Sequence, residues 1–173
     1  PFLSPHKCGA HDPALLRNPV IADLEELLDI ADGAISMITM APELEHGIEA
    51  VEYLVDRGVV VALGHTNADA ETAKKAFAAG ASVITHFYNA LPSIGHKNST
   101  ITLEALLNSD ITLELINDGH HVDEGATELL LRTAPGRVAL VTDAMSAAGH
   151  GDGKYKIGAL DVTVKDGVAR LDA

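Results

Sequence analysis

What most constrains this chain is a change of texture repeated between residues 18 and 142. Short apolar, β-branched runs occupy 35–40, 59–63, 82–85, 111–116 and 137–142. Residues 23–30 precede the first run and residues 47–58, 68–80, 102–107 and 123–132 separate the rest, with apolar side chains at the three- and four-residue spacing of a helix face. Gly58 and Gly80 close two of these segments, where a helix C-cap favours a left-handed residue. Nearly continuous apolar strands alternating with helices predict a parallel sheet covered by helices. An open doubly wound sheet and a (β/α)8 barrel both satisfy that pattern. No Gly-rich phosphate fingerprint follows the first run, which disfavours the doubly wound sheet.

Beyond Ala144 the pattern changes. Residues 155–171 alternate around Lys165-Asp166-Gly167, predicting a β-hairpin with an Asp-Gly turn, so 149–173 reads as a hairpin insertion after the last barrel strand. Five βα units are too few to close a barrel. The expectation is one incomplete domain over residues 1–173, a partial TIM-type barrel lacking roughly three strands. The opening Pro1-Phe2-Leu3-Ser4-Pro5 has no initiator Met and no signal-peptide pattern, and reads as the middle of a longer chain.

Composition narrows the function classes. Apolar residues make up 47% and charged residues 21% of 173, ordinary for a soluble globular domain. No apolar run approaches the ~20 residues of a membrane span. A net charge of −13 offers no basic stripe for a nucleic-acid backbone. The single Cys8 cannot form an internal disulfide, which fits a reducing cytoplasm. Nine His stand against three Tyr, three Phe and no Trp, so the positions of those His carry the next step.

Each apolar run ends in polar residues: Glu43 after the first, then His65, His86 and Asn89, Asn117 to His121, and Asp143. In a parallel barrel all strand C-termini converge on one face, where active sites are built. Two imidazoles and a carboxylate there suit a divalent cation, with Zn²⁺ or Fe²⁺ preferred by neutral His nitrogens. Such an ion activates water and polarises a carbonyl. The plainer alternative is that each His merely bonds a loop carbonyl. Glu43 is a weaker ligand candidate, because it precedes a helix whose positive N-terminus could explain it. His6, His46 and His150 read as loop or surface residues, and Lys74 and Lys75 as a solvated helix face.

The strings Gly64-His-Thr-Asn-Ala68, Thr85-His-Phe-Tyr-Asn-Ala-Leu-Pro92, Asn117-Asp-Gly-His-His-Val-Asp123 and Val141-Thr-Asp-Ala144 resemble the N-acetylglucosamine-6-phosphate deacetylases of the amidohydrolase superfamily. Gly9-Ala-His-Asp-Pro13 and Met40-Ala-Pro-Glu43 fit in the same order. The resemblance covers essentially the whole chain and implies barrel strands four to eight of a cytoplasmic, homodimeric enzyme. It implies release of acetate from N-acetylglucosamine 6-phosphate, a small amino-sugar phosphate, to give glucosamine 6-phosphate. By it, His65 and His86 are metal ligands, for Zn first and Fe, Mn or Co as alternates, and Asp143 is the proton acceptor and donor. Ala10, His11, Asn89, Ala90 and His121 bind substrate. The family's metal-binding Glu belongs to a segment before Pro1. Its phosphate-gripping Arg has no counterpart in the loop Ser93–Thr100, where His96 and Lys97 are the candidate phosphate contacts. A dihydroorotase-like amidohydrolase fits less well, since no Lys ends a strand here to be carboxylated; a non-catalytic sugar-binding fragment is the other alternative.

Overall fold

The computed structural model describes residues 1–172. Five parallel strands, β1 (Met37–Met40), β2 (Val60–Leu63), β3 (Val83–Ile84), β4 (Thr112–Ile116) and β5 (Val138–Val141), form one sheet in the order β1-β2-β3-β4-β5. Helices α1 (Ile21–Ala31), α2 (Gly47–Asp56), α3 (Ala70–Ala78), α4 (Ile101–Leu107) and α5 (Glu124–Thr133) alternate with them. Strand order follows chain order with no reversal, and α1, α2, α3 and α4 pack in sequence against one another. The predicted α/β alternation is therefore observed.

Local chemistry sets the boundaries. The Asp69 and Asp123 carboxylates accept the backbone N–H of Thr72 and Gly125 at 2.8 Å each, capping α3 and α5. Gly58 and Gly80 take φ of +76° and +105° beyond α2 and α3, as a left-handed helix exit requires. Val59, Val61, Leu63, Ile84, Leu113 and Leu115 share a core with Leu24, Val51, Leu54, Ala73 and Leu130 of the helices. Burying each large aliphatic side chain there contributes roughly 1.5–3 kcal/mol.

Two expectations need correction. The apolar run 138–142 predicts a buried strand, yet β5 is a sheet edge and Leu140 is 69% exposed. Its outer side has no neighbouring strand among the described residues, so hydrophobic content alone misjudges its burial. The region beyond 149 is more than a hairpin. It is a separate three-stranded antiparallel sheet of β6 (Gly153–Ile157), β7 (Leu160–Lys165) and β8 (Val168–Leu171). The Asp166-Gly167 turn does join β7 to β8, with φ of +53° and +75°. A second tight turn at Gly158 adds β6. Among the described residues no helix is long and apolar enough to cross a membrane.

Candidate active site

His65, His86 and Asp143 each stand two residues beyond the last residue of their strand, Leu63, Ile84 and Val141. β2 and β3 end in register, with Leu63 opposite Ile84, so the two imidazoles rise side by side. All three residues are left-handed, with φ of +47°, +33° and +48°, and so are Tyr88 (+78°) and Ala90 (+50°). Non-glycine residues avoid this region, at a cost of order 1–3 kcal/mol each. The sharp turn it makes aims a side chain back over the strand ends instead of along the sheet face. Backbone bonds stitch these loops together: Ser4 N–H to His65 O at 2.9 Å, Thr66 N–H to Ala90 O at 3.2 Å and Phe87 N–H to Glu114 O at 2.6 Å.

The histidines fix one another's chemistry. His65 Nδ1 lies 2.8 Å from Lys7 O, and His86 Nδ1 lies 3.2 Å from Asn89 O. A carbonyl only accepts, so each Nδ1 carries the proton and each Nε2 presents a bare lone pair. Those two Nε2 atoms face each other at 3.0 Å. Two lone pairs at that distance repel unless a cation lies between them. Two nitrogens each ~2.0–2.1 Å from a tetrahedral zinc would be about 3.4 Å apart, so the pair needs only a small opening to share an ion. A shared proton is the alternative cation, and the surroundings of His65 oppose it. Burial lowers the His65 pKa most, the Lys7 carbonyl opposes that shift, the neighbouring His86 and His11 lower it again, and the Asp143 charge partly offsets them. The net direction is down, which favours the neutral, ligand-competent ring. The plainer alternative for these histidines therefore holds at Nδ1 and leaves Nε2 unexplained.

Among the described residues no cluster of three or more His, Cys, Asp or Glu is arranged to hold an ion, so the His65–His86 pair stands without a third such partner. Glu43 is not a third. Its carboxylate accepts the Thr66 hydroxyl and the Asn67 N–H, the latter at 2.6 Å. Nor does it cap α2, which begins at Gly47 after His46; it clasps the end of β1 to the end of β2.

The segment before α1 lies over this pair as a strap. Lys7 accepts from His65 through its carbonyl and donates from Nζ to Leu91 O at 2.9 Å, joining the strap to the loop after β3. Gly9, at φ +57°, lets the strap pass over the His65 ring, for a Cβ there would meet His65 Cε1 at 2.9 Å. His11 then stacks edge-on against His65, with ring centroids 4.8 Å apart, and its Nδ1 is 2.9 Å from Cys8 O. Neither Lys7 nor Gly9 stands out in the sequence as a positioning element.

A cavity of about 480 Å³ is lined by Ala10, His121, Asp143 and Ala144 and walled by Val162 and Val164 of the small sheet; His65 and His86 are not among its lining residues. The buried Nδ2 of Asn89 has no hydrogen-bond partner, a donor left for a ligand. His121 Nδ1 meets Asp118 Oδ2 at 2.7 Å, another pairing the sequence does not reveal. His96 and Lys97 sit on the exposed loop and do not line this cavity.

No protein-family model matches the chain. The N-acetylgalactosamine-6-phosphate deacetylase of Escherichia coli O157:H7 is 36% identical over 170 residues, covering 98% of this chain and 45% of the relative. The N-acetylglucosamine-6-phosphate deacetylase of Vibrio furnissii is 36% identical over 168 residues, covering 97% of this chain and 42% of the relative. A solved N-acetyl-D-glucosamine-6-phosphate deacetylase variant from Mycobacterium smegmatis, in complex with N-acetyl-D-glucosamine-6-phosphate, matches at 40% identity and a TM-score of 0.96. That match covers 99% of this chain and 45% of the other. The chain is a homologue of the N-acetylglucosamine-6-phosphate deacetylases. It spans less than half the length of the relatives it matches. Homology extends over the strap, the two histidine loops, the loop carrying Asp118 and His121, Asp143 and the small sheet, because the aligned stretch is nearly the whole chain.

Proposed function

We propose that this chain forms barrel strands four to eight, and one side of the active site, of a metal-dependent N-acetylglucosamine-6-phosphate deacetylase. The observation that carries the proposal is the His65–His86 pair, with Nε2 lone pairs opposed at 3.0 Å and both Nδ1–H groups committed to carbonyls. The sheet order without reversal supports a barrel arc, and the homologues' names supply the substrate class. His65 and His86 would hold a divalent ion through Nε2, with a third protein ligand from outside this sequence. Such an ion lowers the pKa of bound water towards ~7 and polarises the acetamide carbonyl.

The chain's own residues do the rest. Asp143, on the rim of the cavity with no hydrogen bond from a neighbouring side chain among the described residues, takes a proton from the attacking water as its oxygen bonds to the acetyl carbon. It returns that proton to the sugar nitrogen as the C–N bond breaks, since an amine leaves poorly until protonated. Acetate and the free amino sugar are the products. Asn89 Nδ2 donates to the sugar, while His11 and His121, whose Nδ1–H groups are committed to the Cys8 carbonyl and the Asp118 carboxylate, present Nε2 as an acceptor to a sugar hydroxyl. The Val162–Val164 wall limits water around the reacting group. The test is acetate release from N-acetylglucosamine 6-phosphate by the complete protein, before and after chelation. Acetate release abolished by chelation and restored by Zn²⁺ supports the proposal; turnover indifferent to chelation refutes it.

A further inference from the structure

Asp118 is placed to control one of the substrate-facing histidines. Its Oδ1 accepts the backbone N–H groups of His120 and His121, both at 2.9 Å, and its Oδ2 meets His121 Nδ1 at 2.7 Å. The two carboxylate oxygens thus have separate tasks. Oδ1 closes the turn after β4, while Oδ2 is left for the ring. An ionised carboxylate is an acceptor only, so Nδ1 of His121 must carry a proton. Nε2 is the ring nitrogen left over, on a residue that lines the cavity together with Asp143. Partial burial alone would raise the Asp118 pKa, but the His121 and His120 amides and the His121 ring hold it far below the usual carboxylate value. The group therefore remains the acceptor across the working pH range.

We infer that Asp118 is a positioning residue, which fixes the tautomer and orientation of His121 so that Nε2 meets the substrate. This inference rests on the deacetylase proposal for the identity of that substrate, and on geometry alone for the dyad. Asp118→Asn separates the two tasks. The amide oxygen still accepts both backbone amides and keeps the turn. Its NH₂ now faces Nδ1, so Nδ1 becomes the acceptor and the ring proton moves to Nε2.

In the complete protein, Asp118→Asn lowers kcat/KM by roughly 10–100-fold, the range for losing a carboxylate that orients a metal-bound imidazole, with an unchanged melting temperature. Asp118→Ala loses the turn as well and also lowers the melting temperature. Imidazole ¹⁵N NMR supplies an arm that does not need turnover: wild-type His121 carries its proton on Nδ1, and in Asp118→Asn the proton is on Nε2. Wild-type kcat/KM in Asp118→Asn, or the same His121 tautomer in both proteins, overturns the inference. A drop in activity matched by an equal loss of thermal stability in Asp118→Asn also overturns it, since a structural role would suffice. A wild-type protein that releases no acetate refutes the deacetylase proposal instead, and the NMR arm still decides the role of Asp118.

Discussion

Replacing Gly9 with alanine sets a methyl carbon 2.9 Å from His65 Cε1 and 3.3 Å from its Nδ1, at a residue with φ +57°. Carbon atoms at ease stand ~3.5–4.0 Å apart, so the strap or the ring must give by more than half an ångström. The ring has little room: Nδ1 is held by Lys7 O at 2.8 Å and Nε2 is opposed by His86 at 3.0 Å. The left-handed backbone adds a further penalty of about 1–2 kcal/mol for any side chain. Gly33 controls for that penalty, because it has φ +80° and a methyl group there would meet nothing within 4 Å. Competitive Zn²⁺ titration against a chelator, on the complete protein, should show Gly9→Ala weakening affinity by roughly 10–100-fold, as when a ligand loses its orienting partner. Gly33→Ala should bind Zn²⁺ as the wild type does. Equal affinity in the two variants would refute the claim that the strap shapes the His65 ligand.

Three further outcomes are expected, the Lys97 one from the sequence reading of its loop and the others from the structure. Asp143→Asn should retain the fold and bound metal while kcat falls by on the order of 10²–10⁴, the loss typical of a general acid–base; near-normal kcat with metal bound would remove Asp143 from the mechanism. Lys97→Ala should raise the KM for the 6-phosphate sugar without changing activity on unphosphorylated N-acetylglucosamine, and equal effects on both substrates would show that phosphate is held elsewhere. Residues 1–173 produced alone should bind a hydrophobic dye or self-associate, because edge strands β1 and β5 leave Met37 44% and Leu140 69% exposed; a cooperatively unfolding monomer would contradict this.

The strands and helices are legible in the sequence because their signals are local. Period, β-branching and the C-cap glycines at 58 and 80 all act within one turn of chain. His65, His86 and Asp143 are legible for a related reason, since in a parallel sheet a polar residue just past each strand must join the others at one end. The left-handed backbone of these residues is not, because Gly is the usual signal; His and Asp favour that region only weakly, and Tyr and Ala not at all. Tautomers are equally hidden, for they depend on carbonyls contributed by Lys7 and Asn89 through the fold. Asp118 reads as part of a loop motif because its ring contact depends on the turn it closes. The third strand of the small sheet escapes the sequence pattern because residues 155–165 read as one run, which the Gly158 turn divides into β6 and β7.

X-ray anomalous scattering at the zinc edge, from crystals of the complete protein with bound zinc, tests the central claim most directly. The account predicts a peak between His65 and His86, ~2.0–2.1 Å from each Nε2, with both Nδ1–H groups still on the carbonyls of Lys7 and Asn89. A zinc ion held elsewhere, with the two Nε2 atoms bonded to water or to each other, would contradict it.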